Sequence, residues 1–404
     1  MFSSLRELSS TQRHTVLASF LGWTLDAFDF FLLTFVLLAV ARDFHASPEV
    51  VSLGLTLTLA GRPLGAFIFG RLADRYGRRP ILMLDIVLFS LFELASAFAP
   101  SLAMLLATRF LFGIAMGGEW GIGASLAMES IPAKSRGLIS GLLQSGYPVG
   151  FFLAALANWL LIDHIGWRGL FVVGALPALL VIYIRRKVPE SDVWQAGRHA
   201  PRQGLLRAMR GHWKLAFYLM LLMAAFNMFS HGSQDLYHNF EETSLHLPAG
   251  SGAAFMLVAM LNLGALVGGL VFGALSERIG RRRAMMLAAL LAIPAVPLWM
   301  HGSSLVWLAV GAFLIQMMIQ GAWGVVPSHL NELAPAAVRG TLPGVVYQAG
   351  NLLAALTPAA QGWMAARYGG LTTAMSIWIV VVALLLAFLV WIGPEAKDVS
   401  LAES

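Results

Sequence analysis

Residues 70–79 read Gly70-Arg71-Leu72-Ala73-Asp74-Arg75-Tyr76-Gly77-Arg78-Arg79, and residues 273–282 read Gly273-Ala274-Leu275-Ser276-Glu277-Arg278-Ile279-Gly280-Arg281-Arg282. The two stretches stand 203 residues apart in a chain of 404, so the offset is half the length. The same offset carries Glu129-x2-Pro132-x3-Arg136-Gly137 onto Glu332-x2-Pro335-x3-Arg339-Gly340, and Trp120-Gly121 onto Trp323-Gly324. A repeat at half-length in a very apolar chain predicts two related membrane bundles with a ligand site between them.

Composition points the same way. Hydrophobic residues make up 58% and charged residues 12%, and mean hydropathy is +0.75. Soluble domains carry about 25% charge. A bilayer core of about 30 Å takes about 20 apolar residues per helix. Twelve such stretches are legible, at about 15–39, 50–70, 80–98, 102–127, 137–160, 169–187, 214–237, 251–274, 283–300, 304–327, 341–366 and 371–393. They are numbered spans 1 to 12 below, six in each half. The expected fold is all-α, with twelve transmembrane helices in two pseudo-symmetric six-helix bundles. Strands are not expected, because barrel segments are near 10 residues and alternate in polarity. The expected units are 1–187, a polar basic connection at 188–213, and 214–404.

Residues 1–14 are polar and the first apolar stretch is long, which reads as a retained span rather than a cleaved leader. The sequence pI near 9.9 reflects topology rather than nucleic-acid binding. With the N-terminus placed inside, the inner segments hold 22 Lys and Arg, and the outer loops hold Arg42, Arg168 and Arg367. The positive-inside rule then places both termini in the cytoplasm, in a cell (inner) membrane. With no cysteine, disulfides are excluded. Nucleotide loops and metal clusters are absent from the sequence, so neither a bound cofactor nor ATP drive is expected.

Charge inside a bilayer is costly, which makes intramembrane ionisable residues functional candidates. Span 1 carries Asp26 and Asp29, span 2 Arg62, span 3 Asp85 and Glu93, span 4 Arg109 and Glu119, and span 7 His231 and Asp235. Spans 8, 10 and 11 carry amides instead: Asn262, Gln316, Gln320, Gln348 and Asn351. Arg62 has no counterpart in the second half, where the matching residue is Ala265. Its guanidinium is always charged and fits a carboxylate bidentately. It is a candidate for substrate binding, with a salt bridge to Asp26 or Asp29 as the alternative. In span 7, Asn227, His231, Gln234, Asp235 and His238 fall on one helical face. His231 and Asp235 are one turn apart and form a candidate proton carrier. A purely structural hydrogen-bond network is the alternative.

At the repeat loops, Asp74, Arg75, Arg78, Glu277 and Arg278 can lock the two bundles through charge-assisted bonds that break on opening. Topology alone is the competing reading for the arginines. Glu129, Arg136, Glu332 and Arg339, at the ends of spans, are candidate gate or capping contacts.

Gly70-x-Leu72-Ala73-Asp74-Arg75-x-Gly77-Arg78-Arg79, with its weaker copy between spans 8 and 9, resembles the signature loop of the major facilitator superfamily. The resemblance covers the whole chain. Asn227-x2-Ser230-His231-x-Ser233-Gln234-Asp235 resembles the helix 7 motif of lactate and monocarboxylate:proton permeases in the sialate:proton symporter branch. In that motif a Thr follows, where this chain has His238 or Asn239. Leu25-Asp26-Ala27-Phe28-Asp29-Phe30-Phe31 and Gly117-Gly118-Glu119-Trp120-Gly121 also resemble that branch. The resemblance implies substrate binding by Gln348 and Asn351 in span 11. The related Gln144-Ser145-Gly146-Tyr147 of span 5 adds Gln144 and Tyr147. Arg109-x3-Gly113 resembles a helix 4 proton-linkage motif, and a structural pair of Arg109 with Glu119 or Glu93 reads as well. Sialate carriers have additional central spans, which weighs against sialate here.

The expected activity is symport of a small monocarboxylate, lactate-like, with a proton, by alternating access. Arg62, the span 7 stripe and the span 5 and 11 amides would bind substrate. Asp235, His231, Asp26, Asp29, Arg109 and Glu119 would serve proton coupling. Sialate, an aromatic acid or a dicarboxylate is the alternative cargo, and a non-transporting receptor a remote one. The expected partners are an organic anion, a proton and the bilayer, around a monomer.

Overall fold

The computed structural model describes residues 7–197, 211–248 and 251–401, and among these the regular structure is helical. Half of the central connection, 198–210, and Arg6 lie outside the described residues. Ten helical stretches are long and apolar enough to cross a membrane. One of them, Ala133–Lys187, holds both spans 5 and 6, divided at Gly166 with φ 65°. Span 11 escapes that count because it breaks into Leu342–Ala354 and Thr357–Tyr368. The described residues therefore form twelve spans.

The repeat is visible in the helix ends. Span 2 (Pro48–Tyr76) stops at Gly77, φ 114°, and span 8 (Gly252–Ile279) stops at Gly280, φ 97°. A side chain is strained at such φ, so glycine permits the sharp turn into spans 3 (Arg78–Ala97) and 9 (Arg281–His301). Ser101 caps span 4 (Leu102–Ser130) by accepting from the Met104 N–H, and Ser304 caps span 10 (Leu305–Trp323) by accepting from the Trp307 N–H. Span 1 (Ser10–Asp43) opens with a reciprocal Ser9–Gln12 capping box.

Several spans are discontinuous. Span 5 breaks at Ser145, between Arg136–Gln144 and Gly146–Gly174. Span 7 (Trp213–Gln234) stops at Asp235, and a separate short helix Tyr237–Thr243 follows. Span 10 is interrupted at Gly324 and resumes as Val326–Leu333 with a proline in its first turn, where a missing N–H costs nothing. Interrupted helices free backbone groups and cluster where membrane transporters bind cargo.

Packing within each half rests on close crossings. A Cβ on Gly117 of span 4 would stand 2.1 Å from the Arg62 carbonyl oxygen of span 2, so the two backbones touch and Arg62 is fixed there. The second half is cemented by one continuous apolar core around span 7, span 9, span 10 and span 12 (Leu371–Ile392). The first half divides into separate apolar clusters. Trp159, Phe255 and Leu356 are each over 70% exposed, which in water would be unfavourable and in a bilayer is the expected outer surface.

Candidate functional site

One face of the molecule carries both repeat loops and is closed by a pseudo-symmetric ionic lock. Within the first half, Arg78 donates to Glu129 at 3.1 Å; within the second, Arg281 donates to Glu332 at 2.9 Å. Across the halves, Arg339 faces Glu129 at 3.8 Å and Arg136 faces Glu332 at 3.7 Å. Every position in one set lies 203 residues from its partner in the other. Asp74 adds bonds from the Gly340 N–H at 2.7 Å and the Thr341 hydroxyl at 2.5 Å, and it also accepts from Arg78 at 2.8 Å. Its counterpart Glu277 accepts from the Leu138 N–H at 3.0 Å. Ser125 donates to Asn331 at 2.9 Å between the same halves. The tail joins in: the Val399 and Leu401 carbonyls accept from Arg136 at 2.7 Å and Arg339 at 3.1 Å.

Two expected gate residues lie outside this lock. Arg75 is exposed and stacks over Tyr76 at 5.2 Å, and Arg278 is exposed. Arg281, not named from the sequence, takes the role that Arg78 plays in the first half; the 203-residue offset was the available signal. Glu190 and Glu395 were also missed. Each follows a proline at the end of its half and caps the next-door repeat loop. Glu190 accepts from the Arg78 N–H at 3.0 Å, and Glu395 from the Arg281 N–H at 3.0 Å. Burial works against ionisation in both. At Glu190 burial prevails and holds the carboxyl above its usual range; at Glu395 four backbone N–H bonds outweigh it and hold it below.

Behind the lock, Arg62 pairs with Asp26 at 3.2 Å, with 4% and 0% of their side chains exposed. Its guanidinium also lies over the Trp23 ring at 5.9 Å, and its Nε has no partner. An aromatic row begins there and crosses the molecule. Trp23 stacks on Tyr147 at 5.6 Å and meets Trp120 edge-on at 6.4 Å. Trp120 meets Tyr347 at 4.7 Å, Tyr347 meets Trp323 at 5.6 Å, and Trp323 meets Phe226 at 5.5 Å. Trp23–Trp120 and Phe226–Trp323 are repeat-related pairs. The row was not read from the sequence as a site, although Trp120 and Trp323 mark the repeat.

The polar stripe of span 7 lies in the second half, beside the Tyr347 end of this row. His231 Nδ1 lies 3.0 Å from Asp235, its Nε2 lies 2.8 Å from Asn351 Oδ1, and both His231 and Asp235 are about one-third exposed. Gln234 donates to Gln316 at 3.2 Å and Gln320 to Ser230 at 3.2 Å, tying span 7 to span 10. Asn227 is buried and donates to the Met223 carbonyl at 2.9 Å and the Tyr347 carbonyl at 3.4 Å, so its amide is committed to joining spans 7 and 11. His238 does not continue the face. It stands in the following short helix, 59% exposed, beside Glu241 and Glu242. Gln348 is buried in span 11, and Gln144 accepts from the Trp120 indole at 3.4 Å.

Arg109 is committed to a buried cluster of its own. It is 1% exposed, donates to Glu93 at 2.6 Å and Ser96 at 2.7 Å, and is stacked between Phe112 and Phe171. Asp29 lies nearby: a Cβ on Gly174 would stand 3.0 Å from its Oδ1 and 3.1 Å from Glu93 Oε1. Two cavities, of about 460 and 450 Å³, lie apart from the Arg62 region. One sits at the lock face between Tyr76, Arg79, Glu190 and Trp194; the other is apolar, between Phe67, Trp213 and Thr341.

Comparison with known proteins decides the family. The family model "Major Facilitator Superfamily" matches residues 19–262, and "Sugar (and other) transporter" matches 215–400. The chain belongs to the major facilitator superfamily. A probable 4-methylmuconolactone transporter of Cupriavidus pinatubonensis is 30% identical over 99% of this chain and 95% of its own length. The sialic acid transporter NanX of Escherichia coli is 27% identical over 96% and 95%. The niacin transporter NiaP of Acinetobacter baylyi is 29% identical over 94% and 93%. Among solved structures, the proton:xylose symporter XylE superposes with a TM-score of 0.78 over 98% of both chains at 18% identity, which speaks for the fold. This superfamily member is thus a multi-pass membrane transporter of a family whose relatives here are named for organic acids, and not an enzyme.

Proposed function

We propose that this protein is a proton-coupled symporter of a small organic monocarboxylate, working as a monomer by alternating access. The carrying observation is Arg62. It is a buried guanidinium at the middle of a span, fixed by the crossing with span 4, with an internal carboxylate on one side and an unpartnered Nε. An incoming carboxylate can replace Asp26 on Arg62, and a proton then offsets the displaced charge. Anion and proton entering together move no net charge through apolar surroundings. The His231–Asp235 pair, about one-third exposed and joined to Asn351, is the candidate proton entry on the second half. The basic lock face is assigned to the cytoplasm of an inner membrane by the positive-inside rule, with both termini there.

A dicarboxylate would require a second available cation, and Arg109 is held by Glu93 and Ser96. The helix 7 resemblance favours lactate. The aromatic row favours a second reading, a flat aromatic or unsaturated acid, because such an acid stacks on ring faces. Sialate stays among the alternatives, because the sialic acid transporter NanX matches 96% of this chain over 95% of its own length. The test is uptake of radiolabelled lactate into proteoliposomes under an imposed pH gradient, with nicotinate, cis,cis-muconate and sialic acid as competitors. Accumulation that collapses with a protonophore supports the reading. Uptake of lactate and every competitor that ignores the gradient refutes it.

A further inference from the structure

The first half buries more carboxyls than the Arg62 site uses. Glu119 on span 4 and Asp85 on span 3 are fully buried, and all four of their carboxyl oxygens lack a partner. Glu119 is placed by geometry. A Cβ on Gly22 would stand 2.2 Å from its Oε1, so its carboxyl lies against span 1 one helical turn from Asp26. Next to Gly22 is Trp23, whose ring carries the Arg62 guanidinium. Ser19 completes the pocket. A Cβ on Gly123 would stand 3.3 Å from Glu119 Oε1 and 3.7 Å from Ser19 Cβ, and the Ser19 hydroxyl is buried without a partner. Asp85 lies behind: a Cβ on Gly118 would stand 3.2 Å from its Oδ1.

The charged groups facing this point are Asp26 from span 1, Arg62 from span 2 and Asp85 from span 3. Asp29 of span 1 lies instead with Glu93 and Arg109 near Gly174. Toward the lock, span 4 packs on the Val326–Leu333 segment, with His329 and Glu332, and on the short helix Asp192–Gly197 that follows span 6, around Ser125 and Glu129. Spans 5 and 11 bring the phenols of Tyr147 and Tyr347. Arg62, paired with Asp26 at 3.2 Å, is the guanidinium that faces Glu119 as well, in a region where an unpaired charge is prohibitive. Whichever of the two is not ionised onto Arg62 must hold a proton.

We propose that Glu119 is a second, interchangeable acceptor of the coupling proton, sharing Arg62 with Asp26. This rests on the reading of Arg62 as the substrate cation. When a substrate carboxylate takes Arg62, both carboxyls become protonated, and one proton is taken up from solution per anion bound. The prediction separates Glu119 from a bystander: losing Asp26 alone leaves the proton count nearly intact, because Glu119 takes over the ion pair. The Asn and Gln variants keep side-chain volume.

The experiment measures protons taken up by purified full-length protein in weak buffer when lactate or nicotinate is added, using a pH dye, beside acid binding by calorimetry. The parent should take up about one proton per acid bound, as expected for coupled carboxyls. Asp26→Asn and Glu119→Gln should each keep most of that, and Asp26→Asn with Glu119→Gln should bind acid with almost none. Loss of proton uptake in Asp26→Asn alone overturns the proposal, as does its persistence in the double variant. Should the double variant fail to bind, infrared difference spectra of Asp26→Asn decide: a protonated carboxyl band gained on acid addition supports the proposal, and its absence overturns it. A parent that binds acid without proton uptake refutes the symport reading itself, and this inference with it.

Discussion

Asp74 is the residue at which the lock can be weighed. Its carboxylate accepts three bonds, but only those from the Gly340 N–H and the Thr341 hydroxyl cross between halves, at 2.7 and 2.5 Å. The Arg78 bond stays within the first half and survives opening. Asp74→Asn keeps one acceptor oxygen and removes the charge, and a hydrogen bond to a charged group contributes about 1.5–3 kcal/mol. The closed lock therefore loses about 2 kcal/mol relative to the open one, a shift of about thirty-fold in the two-state equilibrium. The chain has no cysteine, so labels can be placed at will. Arg75→Cys and Arg278→Cys put one spin label on each half, at exposed positions outside the lock. Double electron–electron resonance should then show a longer-distance population growing in Asp74→Asn. Glu277→Gln, which takes the charge from the cross-half bond of the Leu138 N–H at 3.0 Å, should shift it less. An unchanged distance distribution with unchanged transport would refute the lock and return Asp74 to a topology signal.

Arg62→Lys should impair transport strongly, since a point charge does not replace a fork held against a carboxylate; Arg62→Ala with Asp26→Asn, which leaves no orphan charge, should lose acid binding by at least about tenfold, and binding as tight as the parent would remove Arg62 from the site. Asp235→Asn should keep lactate counterflow but lose gradient-driven accumulation, because the proton enters through the span 7 pair on its way to the carboxyls at Arg62, whereas His231→Ala should weaken both; retained accumulation in Asp235→Asn removes the span 7 pair from the proton path. On acidification, the Glu190 cap of span 3 should protonate before the Glu395 cap of span 9, because burial raises the first and backbone bonds lower the second. Glu395 therefore contributes stability above its unfolded pKa that is lost only as pH falls through its lowered folded value, so Glu395→Gln should destabilise at neutral pH and converge with the parent in acid. A thermal-melt difference that grows toward acid would contradict this.

Much of the fold was legible because the repeat is a local pattern copied once. Gly77 and Gly280, Ser101 and Ser304, and the lock residues all fall at one offset, and each has a local physical duty. The breaks were harder. Span 7 reads as an unbroken polar face through His238, yet it stops at Gln234 because the chain turns at Asp235 and Leu236 into a new helix. Residues carrying charge could be picked out, but their partners could not. Arg109 facing Glu93 rather than Glu119, and Arg62 facing Asp26 rather than Asp29, depend on the rotation of packed helices, which periodicity does not fix. The face of span 7 offers Asn227 as a substrate ligand, and only the approach of span 11 shows its amide bonded to the Tyr347 carbonyl. Glu190 and Glu395 were passed over because a Pro-Glu pair after a span looks like an ordinary exit; only tertiary contact turns it into a cap.

The two copies diverge in one respect that the scaffold does not require. Asp26, Asp29, Arg62, Asp85, Glu93, Arg109 and Glu119 correspond at the repeat offset to Phe229, Gly232, Ala265, Ala288, Val296, Ala312 and Ala322. The lock residues are kept in both copies, as the proposed alternating access requires of two halves that hold and release the same face. Intramembrane charge is kept in one, where a few guanidiniums and carboxyls can be neutralised together. A second charged half would double the desolvation cost without adding a substrate site. The second half supplies instead the His231–Asp235 pair, about one-third exposed, and the amides around it. The contact that joins the two chemistries is Trp120 against Tyr347, at 4.7 Å. Trp120 follows Glu119 in span 4, and Tyr347 lies one turn from Asn351, which holds His231. On the proposed reading, rocking that opens the lock would move this pair, and protonation behind Arg62 would be felt at the span 7 stripe through the same aromatic contact.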